Sequence, residues 1–292
     1  MQRRSLLTAA FSAAALSATG SFSARAAGKT SFTIGLSNGW VDSEWRTQMI
    51  DEAEAAAKAW EAKGVLVIAT DAEVSSKDAF YVGIDQKAWA MKSAEWLAKA
   101  LGGKGNIVCI NGVAGHPGNQ ARVAGYKEVF AKYPDIKILN EVNANWDEAK
   151  GQQAMQSLLA TYPSINGVWV QDGMAAGAWR ALTDAKRTGV AATGEIRVDF
   201  LKQWVENHYN SGASVNPPGV MASALNVAVL KLQGGQFKDE VLTGKFRNTV
   251  YIPIPLIDNS NVEQIYAQVK DKPGYYSVST IVTPEQAAAY FK

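Results

Sequence analysis

Short apolar runs alternate along the chain with longer segments whose apolar residues recur at helical spacing. The apolar runs predict strands at 32–36, 65–69, 80–84, 107–110, 136–142 and 168–170. Helical spacing predicts helices at about 45–63, 86–101, 120–133, 147–161, 174–185 and 221–232. The pattern is looser after 189: 194–207 fits a short strand with a helix, a loop runs through 216–218, and 250–257 fits an extended edge segment. Strands alternating with helices predict an α/β fold built on parallel sheet.

The clearest of these units lies between 106 and 134. Its apolar run is followed by a glycine-rich polar loop at 111–119, and then by a helix that begins at about Gln120 and stops before Pro134. The loop lies at the carboxyl end of its strand, the edge of an open parallel sheet where ligands bind. Arg122, in the predicted first turn, could reach a hydroxylated or anionic ligand there. The alternative is an arginine that pairs with a nearby carboxylate.

Three predicted loops at carboxyl ends of strands combine polar side chains with aromatic rings or charges. The residues concerned are Asn38, Trp40 and Trp45, then Asn143, Asn145 and Trp146, and then Gln171 and Asp172. A flat ring can cover the C–H face of a sugar, and amide and carboxylate groups can satisfy its hydroxyls. The sequence therefore favours carbohydrate binding, although each tryptophan taken alone could equally be ordinary packing.

The amino terminus has the pattern of an export signal. Arg3 and Arg4 precede an apolar, alanine-rich stretch to about residue 20, and Ala24 to Ala26 offer a cleavage site, so 1–26 is predicted to be a signal peptide of the Sec or twin-arginine type. The stretch is too short and too rich in Ala and Ser to favour a membrane anchor. Cleavage there would remove three arginines and no acid, and change the net charge from +2 to −1. We expect a periplasmic protein without a nucleic-acid surface.

Residue types that would support catalysis or metal binding are sparse. Cys109 is the single cysteine, and neither His116 nor His208 lies in a metal-ligand pattern. The loop 111–118 matches no nucleotide-binding motif, and no nucleophile accompanies His116. Glu195 and Asp199 could be paired carboxylates for glycoside chemistry, but the sequence does not give their separation. We expect no catalytic residue, no metal and no cofactor.

Several segments together resemble the type I periplasmic sugar-binding proteins, the ribose-binding-like receptors of ABC importers. They are YVGID at 81–85, GGKGNIVCINGVAGHPGNQARVAGY at 102–126, the Trp146-Asp147 pair, and LLATYPSINGVWVQDGMAAGAWRAL at 158–182. The resemblance implies a two-lobed fold in which each lobe is a parallel sheet flanked by helices. By position, Arg122 matches the family's sugar-binding arginine and Trp146 its stacking aromatic. The resemblance also assigns ligand contacts to Asn38, Trp45, Gln171 or Asp172, and Glu195, the last in place of an aspartate.

The function implied by the resemblance is capture of a sugar or related polyol between two lobes and delivery to an ABC transporter permease, by a monomer. A receptor for chemotaxis or a sensor kinase is the alternative, and a secreted carbohydrate-active enzyme is the third possibility. The predicted first lobe holds 27–85 and about 217–250, and the second holds 86–216 and about 251–292.

One departure from the family affects the first lobe. After the strand at 65–69, members run through two further βα units, the second ending in an Asp-Arg pair, whereas this chain passes by 72–78 directly to YVGID. About 50 residues would be missing. We therefore expect a reduced first lobe that lacks this acidic partner opposite Arg122.

Overall fold

The computed structural model describes residues 66–71, 73, 76–187 and 189–292, and elements are numbered within these residues. The strand predicted at 32–36 and the helix predicted at 45–63 lie outside them. The helices are α1 Gln86–Ala100, α2 Pro117–Phe130, α3 Glu148–Thr161, α4 Met174–Asp184, α5 Val198–Asn207, α6 Val220–Leu232, α7 Val262–Val269 and α8 Pro284–Ala288. The strands are β1 Ile68–Ala69, β2 Phe80–Gly83, β3 Lys104–Asn111, β4 Asp135–Asn143, β5 Gly167–Val170, β6 Ala191–Thr193, β7 Ser211–Ser214, β8 Thr249–Tyr251 and β9 Leu256–Asp258.

The larger sheet of the described residues has the strand order β4-β3-β5-β6-β7-β9. All its neighbouring strands are parallel except β9, which runs antiparallel to β7 at one edge. The apolar strands β3 and β5 lie inside the sheet, each with a strand on both sides, as their apolar runs predict. Helices connect the parallel strands, so the predicted α/β class is confirmed.

Strand β7 is the element that the sequence pattern missed. Its residues are Ser-Gly-Ala-Ser, all buried, and the hydrophobic pattern predicted no element for this stretch. Small residues are needed because the Trp96 ring covers the strand closely: a Cβ on Gly212 would lie 2.2 Å from Trp96 Cδ2. The apolar face that buries β7 is thus supplied by α1, not by β7 itself.

The smaller sheet has the order β1-β2-β8, and all three strands are parallel. Three segments connect the two sheets. The chain passes from the smaller sheet to the larger one between β2 and α1 and returns between β7 and α6, and α6 packs against β2. It passes to the larger sheet again between β8 and β9. The division of the chain into two lobes, with boundaries after 85, 216 and 250, stays a prediction. The predicted loss of two βα units is not tested by the described residues and stays a prediction.

The last residues of the chain lie with the smaller sheet. Helix α8 packs against α6, and the Phe291 ring stacks on Phe237 with the ring centroids 4.4 Å apart. Phe237 in turn contacts Phe80 of β2 at 5.3 Å. The sequence analysis placed 251–292 in the second lobe, whereas these contacts lead us to propose that about 283–292 belong to the first.

Helix α2 begins three residues earlier than predicted. Pro117 occupies its first turn, where a missing N–H costs nothing, and His116 Nδ1 accepts a hydrogen bond from Gly118 N at 3.0 Å. Arg122 therefore lies in the second turn, and its side chain reaches the sheet edge from there. Among the described helices, none has the length and apolar character needed to cross a bilayer.

Candidate functional site

A cavity of about 310 Å³ lies at the carboxyl ends of β5, β6 and β7. This is the edge at which the sequence analysis expected a ligand. The lining residues are Trp89, Asp172, Gly173, Gly194, Glu195, Ile196, Arg197, Ser214, Asn216 and Ser277. Two of the predicted site residues, Asp172 and Glu195, are among them.

Arg122 is held beside this cavity by α1 and by the loop after β5. It is 3% exposed, its Nε donates to Gln86 Oε1 at 2.8 Å, and its Nη1 forms an ion pair with Asp172. The guanidinium carbon lies 4.0 Å from the centroid of the Trp89 ring. The predicted alternative, pairing with a carboxylate, therefore occurs, and it occurs inside the predicted site.

Trp146 is oriented by a chain of amide groups. Its Nε1 donates to Gln171 Oε1 at 2.8 Å, and Gln171 Nε2 donates to Asn119 Oδ1 at 2.8 Å. The ring lies so close to Gly112 that a Cβ there would be 2.1 Å from Trp146 Cε2. The ring is half-buried and is contacted edge-on by His116, so part of its surface can meet a ligand.

Glu195 is bound to a cation on its own loop. It is 4% exposed, and its two oxygens accept from Arg197 Nε and Nη2, both at 2.6 Å. Burial raises the pKa of Glu195 to about 7, and Arg197 opposes that rise. Both Glu195 oxygens are engaged by Arg197, and the Asp199 carboxylate accepts a hydrogen bond from the backbone N of Phe200 at 2.8 Å.

Arg197 connects Glu195 to α3. Its Nη2 also donates to Glu148 Oε2 at 2.7 Å, and Arg180 of α4 donates to Glu148 Oε1 at 2.6 Å. Burial alone would raise the pKa of Glu148, but the hydrogen bonds from Arg197 and Arg180 lower it below its ordinary value. This wall of the cavity is therefore a compensated ionic network that bridges α3 and α4.

The smaller sheet presents acidic groups at its own carboxyl edge. Desolvation raises the pKa of Asp71, the charge of Arg122 lowers it, and that of Asp172 raises it. Desolvation likewise raises the pKa of Glu73, which accepts a hydrogen bond from Tyr251 Oη at 3.2 Å. The charge of Arg122 thus reaches an acidic residue that directly follows β1, whereas the predicted absence of the Asp-Arg pair stays a prediction.

The structure brings Arg122, Trp146, Gln171 and Asp172 into direct contact, and Glu195 lines the same cavity as Asp172. Asn38, Trp40 and Trp45 lie outside the described residues. The roles of all eight as ligand contacts stay predictions.

The residues that the sequence analysis missed are Asp71, Gln86, Trp89, Asn119 and Arg197. A signal existed for two of them, because Gln86 directly follows the predicted end of the first-lobe segment 27–85 and Asn119 lies in the glycine-rich loop. In the part of the chain that the structure describes, no group of three or more His, Cys, Asp or Glu could hold a metal ion. Burial raises the pKa of the Cys109 thiol, which makes it a poor nucleophile.

A search of protein families matches residues 51–236 to the periplasmic binding protein domain. The xylitol-binding protein of Mycolicibacterium smegmatis is 34% identical over 205 residues, which are 69% of this chain and 56% of that protein. The D-allose-binding periplasmic protein of Escherichia coli is 27% identical over 185 residues, 59% of each chain. The chain thus spans less than two thirds of the length of these relatives.

Solved structures show the same fold. The ABC transporter solute binding protein of Thermobispora bispora superposes with a TM-score of 0.68 at 22% identity, over 81% of this chain and 70% of that one. A periplasmic solute binding protein of Actinobacillus succinogenes with bound D-allose gives a TM-score of 0.61 at 23% identity, over 75% and 83%. With the family match over more than half of its length, the chain belongs to the periplasmic binding protein domain family, and the ribose-binding-like type I fold predicted from its motifs is confirmed.

Proposed function

We propose that this protein captures a sugar or related polyol between its two sheets and delivers it to the permease of an ABC importer. The observation that carries the proposal is the cluster of Arg122, Asp172, Gln171 and Trp146 at the carboxyl edge of the larger sheet, beside a cavity of about 310 Å³. That volume and the mixture of aromatic and polar lining suit a small polyhydroxylated molecule.

The chemistry of binding follows from the geometry. The free part of the Trp146 ring covers a C–H face of the ligand, and the Asp172 carboxylate accepts from hydroxyls. Arg122 donates to ring or hydroxyl oxygens, while Asp71 approaches from the smaller sheet. The ligand contacts both sheets, so its binding favours a closed arrangement, which the permease recognises.

We further propose that the protein acts as a periplasmic monomer after removal of 1–26, without catalysis, cofactor or nucleic acid. The relatives named xylitol-binding and D-allose-binding support the ligand class. In this proposal 27–85, about 217–250 and the last ten residues form the first lobe, and 86–216 with about 251–282 form the second.

A thermal-shift panel tests the proposal directly. The mature chain is heated with xylitol, D-allose, D-ribose and a set of other monosaccharides and polyols, and calorimetry follows for each ligand that raises the melting temperature. A saturable shift for one or more of these ligands is expected. No shift with any sugar or polyol at millimolar concentration would reject sugar capture.

A signalling receptor is the second candidate. One similar structure is the fructose binding periplasmic domain of a hybrid two component system, with a TM-score of 0.61 at 23% identity. Co-purification of the sugar-loaded protein with a permease encoded beside it would favour import. Binding to a sensor kinase or chemoreceptor instead would favour signalling.

A further inference from the structure

Trp89 lies where Arg122 meets the segment that leaves the larger sheet after β7. The side chain is on the first turn of α1, is 2% exposed and lines the cavity. One face of its ring carries the Arg122 guanidinium, 4.0 Å from the centroid. Its Nε1 donates to the carbonyl of Ser214 at 2.9 Å, and Ser214 Oγ donates back to the Trp89 carbonyl at 2.8 Å.

These contacts restrain Arg122 in two directions. Gln86, three residues earlier on α1, accepts from Arg122 Nε, whereas the Trp89 ring lies under the guanidinium carbon. The Nη1 atom is then directed to Asp172, which lines the cavity. A long arginine side chain would otherwise occupy many rotamers, so the two contacts from α1 select one of them.

The same tryptophan is bound to the part of the cavity wall formed after β7. Ser214 and Asn216 line the cavity and are followed by the chain crossing to α6. The reciprocal pair between Trp89 and Ser214 ties this wall to the start of α1, which itself follows the crossing from β2. One side chain therefore contacts both Arg122 and the strand end that precedes Asn216.

We propose that Trp89 is a positioning residue of the ligand site: its ring face orients Arg122, and its N–H anchors the Ser214–Asn216 wall. The proposal rests on the proposed function, since affinity for a sugar is one of its readouts. It requires no contact between Trp89 and the ligand.

Two substitutions separate the ring from the N–H. Trp89→Phe keeps an aromatic face and removes the donor to Ser214, and Trp89→Leu removes both. The probe is whichever of xylitol, D-allose and D-ribose binds the parent most tightly by calorimetry. We expect the dissociation constant to rise about threefold in Trp89→Phe and about tenfold or more in Trp89→Leu, in line with loss of a desolvated cation–π contact.

A matched pair at Trp179 supplies the control. Trp179 is also buried, but it stacks on Tyr209 at 4.1 Å and does not line the cavity. Trp179→Phe and Trp179→Leu should lower the melting temperature and leave the dissociation constant unchanged within twofold. Equal loss of affinity in Trp89→Phe and Trp89→Leu, or parent-like affinity in Trp89→Leu, would overturn the proposal.

Nuclear magnetic resonance of the ligand-free protein gives a readout that does not need a sugar. The Nε–H resonance of Arg122, assigned by its loss in Arg122→Lys, should be displaced by the ring current of Trp89. It should move towards the ordinary arginine position in Trp89→Leu and keep part of its displacement in Trp89→Phe. If no sugar binds the parent, the proposed function fails, but this resonance still tests the positioning role of Trp89. An unchanged Arg122 resonance in Trp89→Leu rejects that role.

Discussion

At the residue scale the site contains two buried charges, each paired with a partly exposed partner. Arg122 pairs with Asp172, and Glu195 pairs with Arg197. A buried charge is tolerated when it is paired and hydrogen-bonded, and removal of one partner leaves the other uncompensated. Single substitutions here should therefore cost more than the net contribution of each pair.

Arg122→Ala should weaken sugar binding by about 2–4 kcal/mol. The reason is that the ligand loses a hydrogen-bond donor, and Asp172, Gln171 and Gln86 lose the same donor. Arg122→Lys should not restore it, since an ammonium cannot replace the planar fork. Calorimetry measures both variants. Lys87→Ala is the matched control, because Lys87 pairs α1 with α2 through Glu128 on the exposed surface. Parent-like affinity in Arg122→Ala would remove Arg122 from the site.

Glu195→Gln should change how stability depends on pH. Folding raises the pKa of Glu195 from 4.5 to about 7. The folded protein therefore binds this proton more strongly than the unfolded chain does. The stabilisation from this group is complete below about pH 4.5 and is lost as pH rises to about 7. The free energy of unfolding of the parent, minus that of the variant, should fall across this window by up to about 1.4 kcal/mol per pH unit and then level off. Urea titrations at pH 5, 6, 7 and 8 measure it, and a difference that is flat across the four values contradicts the raised pKa.

At the scale of elements, the ionic wall depends on how closely α3 and α4 approach. A Cβ on Gly177 of α4 would lie 2.1 Å from the Glu148 carbonyl, and one on Gly151 of α3 would lie 2.8 Å from Met174 Cβ. The two helices thus meet through glycines, backbone to backbone. This contact places the Glu148 side chain within reach of both Arg180 and Arg197.

Gly177→Ala should therefore destabilise the protein by about 1–3 kcal/mol, because the added methyl forces α3 and α4 apart. Denaturant unfolding at pH 7 measures the change. Gly189→Ala is the control, since nothing lies within 4 Å of the Cβ it would add. Equal stability of the two variants would mean that the helices separate without cost.

At the scale of the whole molecule, the two sheets differ in the number of strands that the described residues contribute to them. The larger sheet has six strands with helices between them, whereas the smaller has three, one of which returns late in the chain as β8. Parallel sheets need cover on both faces, and each βα unit supplies one strand and one covering helix. A first lobe short of two units should be the less stable one.

Hydrogen exchange tests this difference in stability. Amides in 86–190 should exchange at least about tenfold more slowly than those in 31–85, a difference of about 1.4 kcal/mol in opening free energy. The measurement is made on the mature chain with and without its sugar. Equal protection of the two ranges, combined with micromolar binding, would mean that the first lobe is complete and that the predicted loss of two units is wrong.

The sequence by itself determined the class of the fold and the position of four of the eight candidate site residues. Apolar runs and helical spacing are local properties, so they specified the order of strands and helices, and this order placed Arg122, Trp146, Gln171 and Asp172 at one edge. The small residues of β7 carried no such pattern, because their burial depends on Trp96 of a distant helix.

Only the tertiary structure decided which partners these side chains take. Trp89 and Gln86 reach Arg122 from α1, and Glu195 is engaged by Arg197, although nothing in the spacing of these residues requires it. The charge of Arg122 lowers the pKa of Asp71, which follows a strand of the smaller sheet. The physical reason is that charge pairing and ring contact depend on distances across the fold, which a periodic pattern along the chain does not contain.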